Sequence, residues 1–303
     1  MTNLNFVTPE KSWAERNGFA HWAIVMIWLV LALILFQVVA GLVFVGLMFA
    51  SGEIIDTTNI AELMTSRMDL LFIGNSAGQI LFIGLATFVV TKLHTAGEGV
   101  FSYLRMSWTQ STLRYIIFGG LLILAIQPVV IYLGFLNSLL PIPDFFTDLQ
   151  AGQYEMIQNF LTSDGILLFG LLNIALVPAI CEEILFRGYV LRSFEKSWGI
   201  ITAVLISGLV FGIFHIQLGN LLPLAILGII LALMTWLSGS IWPAVVAHFI
   251  NNGAAVVAGS NFPELMFQDM TVETLPPVWL LLASIFLSAI IIIAMFRQST
   301  YTE

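Results

Sequence analysis

Two adjacent carboxylates, Glu182 and Glu183, lie inside an otherwise apolar stretch, and Arg187, His215, His248 and Asn252 follow at intervals that suit helices. An ionisable group at the centre of a bilayer costs about 2.5–3.5 kcal/mol on insertion scales, so such residues persist where they have a task. The spacing divides the pair. Glu183 and Arg187 are four residues apart, acid before base, which puts them on one helical face and lets the guanidinium hold Glu183 ionised. Glu182 projects about 100° away around the same helix and is free to face a cavity. Pro178 cannot donate its amide and is expected to bend the helix and open space beside Glu182.

Phe211 and His215 share a face at i, i+4, as do His248 and Asn252. Glu182 precedes the turn near Trp198 and Gly199 by about as many residues as His215 follows it, so an antiparallel hairpin brings both to similar depth. Gly208 and Gly212 form a small-residue step expected to let that hairpin close tightly. His248 lies much nearer its own turn around Ser240, a depth mismatch to be absorbed by tilt or by the Pro178 bend. A carboxylate beside an imidazole can polarise a water, and a second imidazole with an amide can hydrogen-bond the oxyanion of a tetrahedral intermediate. That is chemistry for peptide hydrolysis, with Glu182 and His215 on the water and His248 and Asn252 on the oxyanion.

Glu182, His215 and His248 would also suit Zn²⁺ with an open position. The HExxH pattern of the common zinc helix is absent, and water activated by glutamate, with no required cofactor, is the expectation. Cys181 is the single cysteine and reads as a small buried side chain. A Cys–His peptidase built on it is an alternative that lacks a distinct base.

The elements that must position these residues are membrane helices. Of 303 residues, 59% are hydrophobic and 9% charged, and the mean hydropathy is +0.99, which excludes a soluble globular domain. A spanning helix needs roughly 20 apolar residues. Eight segments qualify or nearly so: 19–50, 70–90, 115–140, 165 into the Glu182 region, 199–216, 221–237, 241–259 and 277–296. The expected fold is all-α, a polytopic membrane bundle of about eight transmembrane helices. The first stretch is too long for a signal-peptide core, and no small-residue cleavage site follows it. We read residues 1–303 as one membrane domain, with a catalytic core at 165–259 and accessory helices at 19–140. In the accessory helices Gln37, Asn75, Gln79 and Gln127 are expected to hydrogen-bond neighbouring helices, and Gly74 and Gly78 to permit close approach. An amphipathic stretch near 145–160 fits either an outer-interface helix or a solvated connector.

The eight-span layout puts nine of the ten Lys and Arg residues on one side, namely Lys11, Arg16, Lys92, Arg105, Arg114, Arg187, Arg192, Lys196 and Arg297, with Arg67 opposite. Glu53, Asp56, Glu62, Asp69, Asp144, Asp148, Glu155, Asp164, Glu264, Asp269 and Glu273 share the face of Arg67 and carry most of the net charge of −8. Short basic loops stay cytoplasmic, so both termini are expected in the cytoplasm and the protein in the cell membrane. The lipid bilayer is its environment, no nucleic-acid partner is expected, and the sequence carries no signal for an oligomeric state.

Glu182-Glu183-Ile-Leu-Phe-Arg187 resembles the EExxxR motif, Phe211-Gly-Ile-Phe-His215 the FxxxH motif, and His248-Phe-Ile-Asn-Asn252 the HxxxN motif of the CAAX protease and bacteriocin-processing family of intramembrane endopeptidases. Each motif alone is weak. All three in family order are specific, and they cover about a third of the chain. The resemblance implies a type II CAAX prenyl endopeptidase-like, all-helical membrane peptidase, whose eukaryotic relatives remove a tripeptide from prenylated proteins. It implies Glu182 as the water-activating group with His215, and His248 and Asn252 on the oxyanion. Glu183 and Arg187 would support the first of these helices, and Phe211 would shape the pocket. The family has been described both as metalloproteases and as metal-independent glutamic proteases, and includes bacteriocin-maturation and immunity proteins. The implied substrate is therefore a membrane-anchored or membrane-associated peptide or protein, of CAAX or bacteriocin-leader type. Two other classes compete. A proton- or ion-coupled transporter could use Glu182 and His215 as a relay, although the two halves of this chain differ. A catalytically silent immunity or scaffold protein could retain the motifs.

Overall fold

In a bilayer the backbone has no water to bond, and helices satisfy it internally. The computed structural model describes residues 12–52, 60–95, 99–163, 165–268 and 271–299, and no strand occurs among them. The principal helices are α1 (His21–Ala50), α2 (Met68–His94), α3 (Thr112–Ala125), α4 (Gln127–Ser138), α5 (Asp144–Leu161), α6 (Leu167–Trp198), α7 (Ile200–Phe214), α8 (Leu221–Ser238), α9 (Trp242–Asn261) and α10 (Val278–Gln298).

Among the described residues five helices are long and apolar enough to cross a membrane: α1, α2, α6, α8 with its leading turn, and α10. The α3–α4 pair, bent by 45°, makes a sixth if taken as one span. Helices of this kind make the chain an integral membrane protein, while the expected count of about eight is not confirmed. Two predicted spans account for the difference. Helix α7 has only 15 residues, and α9 carries His248, Asn251 and Asn252 in its middle.

Helix α6 runs past the Glu182 region, where the expected apolar span ends, to Trp198, the position expected for the hairpin turn. The residues beyond Glu183, Ile184 to Val190, are all buried, so the helix keeps an apolar environment there. Arg187 among them is 1% exposed and belongs to the interior rather than to a basic loop, which removes it from the charge partition. Lys11, Glu53, Asp56, Asp164 and Asp269, also used in that partition, lie outside the described residues. Wide π-helical turns at Leu171–Leu176 and Ile184–Val190 flank the α-helical segment Val177–Glu183. Such turns rotate the residues beyond them relative to a regular helix and cluster at functional sites.

Glycines set two close helix crossings. A Cβ on Gly74 would come within 2.5 Å of the Ala40 carbonyl oxygen, and one on Gly78 within 3.2 Å of Ala40 N, so α1 and α2 touch backbone to backbone as expected. The Gly208–Gly212 step, by contrast, faces α8 rather than α6. A Cβ on Gly208 would lie 2.6 Å from Ile229 N, and one on Gly228 would lie 2.8 Å from Gly208 Cα. The hairpin that closes on these glycines is therefore α7–α8. Glycine-lined crossings of this kind trade side-chain volume for backbone contact, as lipid offers no hydrophobic drive to separate helices from tails.

Candidate active site

Glu183 is fully buried and meets two partners from two helices. Arg187 Nε on its own helix lies 3.1 Å from Glu183 Oε2, and His248 Nδ1 on α9 lies 2.8 Å from Glu183 Oε1. The Arg187 contact is an ion pair outside hydrogen-bond geometry, and it leaves Glu183 Oε2 and Arg187 Nη1 without hydrogen-bond partners among the described residues. Arg187 Nη2 donates to the Gly228 carbonyl at 3.2 Å, and Arg187 Cζ sits 4.4 Å from the Phe211 ring centroid. The guanidinium is thus held by a carboxylate, a carbonyl and a π face, and the charge pair is neutral as a unit.

Glu182 has different surroundings. Its Oε2 lies 3.8 Å from His215 Nε2 and has no hydrogen-bond partner among the described residues. The Glu182 and His215 side chains are 13% and 25% exposed, whereas Glu183 is 0% exposed. One glutamate is fully buried and charge-balanced by Arg187, and the other is slightly exposed, with a buried Oε2 that faces only His215 at 3.8 Å.

His215 owes its place to the end of α7. It caps that helix, and its Nδ1 donates to the Phe211 carbonyl at 2.7 Å, which leaves Nε2 facing Glu182. The next residue, Ile216, has φ of 56°, a left-handed conformation that a β-branched residue adopts only under constraint. The constraint comes from α4 and α5. Asn137 Nδ2 donates to the Leu218 carbonyl at 2.9 Å and Asn137 Oδ1 accepts from Leu222 N at 2.8 Å. Gln217 bonds Gln153 at 3.1 Å, and Asn220 bonds Tyr154 at 2.6 Å. The amphipathic helix α5 therefore clamps the turn that follows His215.

On α9, Asn252 Nδ2 lies 3.2 Å from both His248 Nε2 and the Ile174 carbonyl. The second contact follows from Pro178, which has no amide to offer the carbonyl four residues back. Asn252 supplies a donor there. His248 and Glu183 meet directly, so the packing of α6 against α9 absorbs the depth difference that the residue counts imply.

Phe211 packs edge-on to both His215 and His248, with ring centroids 4.7 and 5.9 Å away. A small, part-open cavity of about 50 Å³ is lined by Ile123, Phe211, His215, Leu224, Leu227, Leu231, His248, Asn251 and Asn252. It combines an apolar wall with a few convergent polar groups, as ligand pockets do, but is much smaller than a pocket for a whole ligand. Glu182 is not among its walls and approaches it from the side of His215. Cys181 is buried, with its sulfur against Gly84, 3.2 Å from where a Cβ would sit.

The fit to a metal can be tested on the donors. Glu182 Oε2 and His215 Nε2 face each other, but His248 has both ring nitrogens engaged, one by Glu183 and one by Asn252. Among the described residues no group of three or more His, Cys, Asp and Glu side chains is arranged to hold a metal ion. The residues as placed do not form the three-donor set that Zn²⁺ would need.

All seven residues singled out from the sequence therefore lie in one region, in two linked groups. Two contributors were not recognised as such. Asn251 lines the cavity, and Gln127, expected only to pack, donates to Asn251 Oδ1 at 3.1 Å. The doubled Asn at 251–252 and a lone Gln before Pro128 in an apolar span are the signals that point to them.

Residues 164–254 match the family model described as Type II CAAX prenyl endopeptidase Rce1-like. The matched segment includes α6, α7, α8 and most of α9, with every residue of the three motifs, and it supports recognition of the chain as a protein of the CAAX protease and bacteriocin-processing type. The match covers about a third of the chain. No curated protein and no solved structure matches the chain.

Proposed function

We propose that this protein hydrolyses a peptide bond in a membrane-anchored or membrane-associated peptide or protein, using a water activated by Glu182 and His215 without a metal. The observation that carries the reading is the unequal state of the two glutamates: Glu183 is charge-balanced by Arg187, while Glu182 Oε2 is unpartnered 3.8 Å from His215 Nε2. That separation is too long for a direct hydrogen bond and suits one water bonded to both atoms. Glu182 takes a proton from this water as its oxygen adds to the scissile carbonyl carbon. Asn252 Nδ2, beside the cavity, donates to the oxyanion, and His248 joins it by donating from Nε2 when protonated. Collapse breaks the C–N bond, and Glu182 returns its proton to the departing amine. Glu183 and Arg187 hold His248 and Phe211 in place. Residues 165–259 act as the catalytic core and 19–140 as accessory helices. The basic residues of the loops support a cell-membrane protein with both termini in the cytoplasm.

Cleavage of lipid-anchored and transmembrane peptides by the purified protein in proteoliposomes tests this. Wild type should cut, Glu182→Gln should not, and chelator should leave the rate unchanged. Ion flux across the liposomes with no cleavage of any peptide overturns the peptidase reading. Chelator inhibition reversed by zinc overturns the metal-free mechanism.

A further inference from the structure

A line of amide groups runs from the accessory helices into the site, and every hydrogen bond along it points the same way. Gln127, at the break between α3 and α4, donates from Nε2 to the Ile123 carbonyl at 2.7 Å and to Asn251 Oδ1 at 3.1 Å. Asn251 Nδ2 donates to Asn252 Oδ1 at 3.1 Å. Asn252 Nδ2 then donates to the Ile174 carbonyl and to His248 Nε2, each at 3.2 Å. His248 Nδ1 ends the line on Glu183 Oε1 at 2.8 Å.

The direction has a physical origin at both ends. A backbone carbonyl can only accept, so Ile123 O compels Gln127 to present its NH₂ there, and that same group is the one within reach of Asn251. A Gln127 turned the other way would set two acceptors against each other. Asn251, accepting through Oδ1, has only Nδ2 left for Asn252. Asn252, accepting through Oδ1, has only Nδ2 left for His248, and the Ile174 carbonyl exposed by Pro178 holds it in that orientation. His248 Nε2 must then be an acceptor, and its ring proton must sit on Nδ1, where a carboxylate receives it.

We propose that Gln127 and Asn251 are positioning residues: through Asn252 they set His248 as the Nδ1–H tautomer, with its Nε2 lone pair directed at Asn252 and the cavity. This rests on the peptidase reading for its meaning, as the tautomer keeps Nε2 unprotonated in the resting site and so able to take up the proton that His248 then donates to the oxyanion. It extends the site beyond the three motifs into α4, outside the segment that matches the family. Sequential hydrogen bonds in a low-dielectric interior polarise one another, so a change at one end reaches the other.

The test uses the full chain in micelles with ¹⁵N-labelled histidine. There are four histidines, and His248→Gln identifies the signal. Wild type should show a protonated, pyrrole-type Nδ1 and an unprotonated, pyridine-type Nε2 at His248. In Gln127→Glu the carboxylate can only accept, which turns Asn251 and Asn252 over and places a proton on Nε2. Asn251→Asp, which accepts from Gln127 but cannot donate to Asn252, should give the same change if the first variant does not fold. An unprotonated Nε2 that persists in a folded variant overturns the proposal, as does an Nε2–H tautomer in wild type. In cleavage assays Gln127→Leu should lower kcat about tenfold or more with little change in KM, and should cost nothing further in an Asn252→Ala background. Losses that multiply in that double variant mean Gln127 only supports the fold, and the proposal fails. The nitrogen spectrum is independent of turnover, so a wild type that cuts no peptide sinks the peptidase reading and leaves the tautomer result standing.

Discussion

Helices α1 and α2 and the region of α6 and α9 both contain buried polar groups, but they connect them differently. In α1 and α2 Trp28 and Thr87 are satisfied locally, Trp28 Nε1 donating to Thr87 Oγ1 at 3.1 Å and Thr87 Oγ1 to the Ile83 carbonyl at 2.8 Å, while the neutral amide oxygen Gln79 Oε1 is buried without a hydrogen-bond partner among the described residues. Across α6 and α9 the polar groups bond one another in series, from Arg187 through Glu183, His248 and Asn252 to Asn251. Beside that series, Glu182 keeps an unpaired oxygen. A closed pair in a membrane adds modest stability, on average about 0.6 kcal/mol for an interhelical hydrogen bond. An unpaired carboxylate oxygen raises the energy of the resting state and falls to lower energy when it bonds water or substrate, which sets Glu182 apart from the neutral Gln79 amide and is the reason we propose the chemistry there.

The contrast can be broken most severely at Glu182. Replacing it with Gln keeps size and removes the base, so kcat should fall by about 10³-fold or more while the melting temperature holds. A variant that retains turnover would assign the water to another group. Arg187→Met leaves Glu183 charged and buried, and should cost about 3–5 kcal/mol of stability together with most activity. Adding Glu183→Gln to Arg187→Met should return much of the stability, as measured by thermal unfolding, but not the activity. Failure of that recovery means the pair is not the electrostatic unit described. Asn252→Ala removes one oxyanion donor and should lower kcat by about 10²–10³-fold with KM nearly unchanged.

The comparison is sharpened from the other side by Thr87→Val. It leaves Trp28 Nε1 without its acceptor, so stability should drop by about 1 kcal/mol with cleavage kinetics unaltered. A comparable loss of kcat would show that the accessory helices are not energetically separate from the site. The smallest effect is expected from Cys181→Ser, which should cut peptides at the wild-type rate. Its inactivation would revive the thiol alternative.

What could be read from the sequence follows from the geometry of a single helix. An i, i+4 interval fixes a shared face whatever the surroundings, so the Glu183–Arg187 pair, the Phe211–His215 pair and the His248–Asn252 pair were all visible as spacings. Hydropathy likewise marked every principal apolar helix, because a bilayer imposes one length and one polarity on a span. Contacts between helices obey no such local rule. The chain does not state that Glu183 serves both Arg187 and His248, that the glycine step of α7 packs on α8, or that Gln127 reaches Asn251. Those depend on the rotation of each helix, which π turns in α6, the bend at α3–α4 and the glycine crossings set together. The two glutamates were separable from sequence by one step of helical rotation. Which partner waits at each, and that one of them has none for its outer oxygen, was decided only when the helices packed.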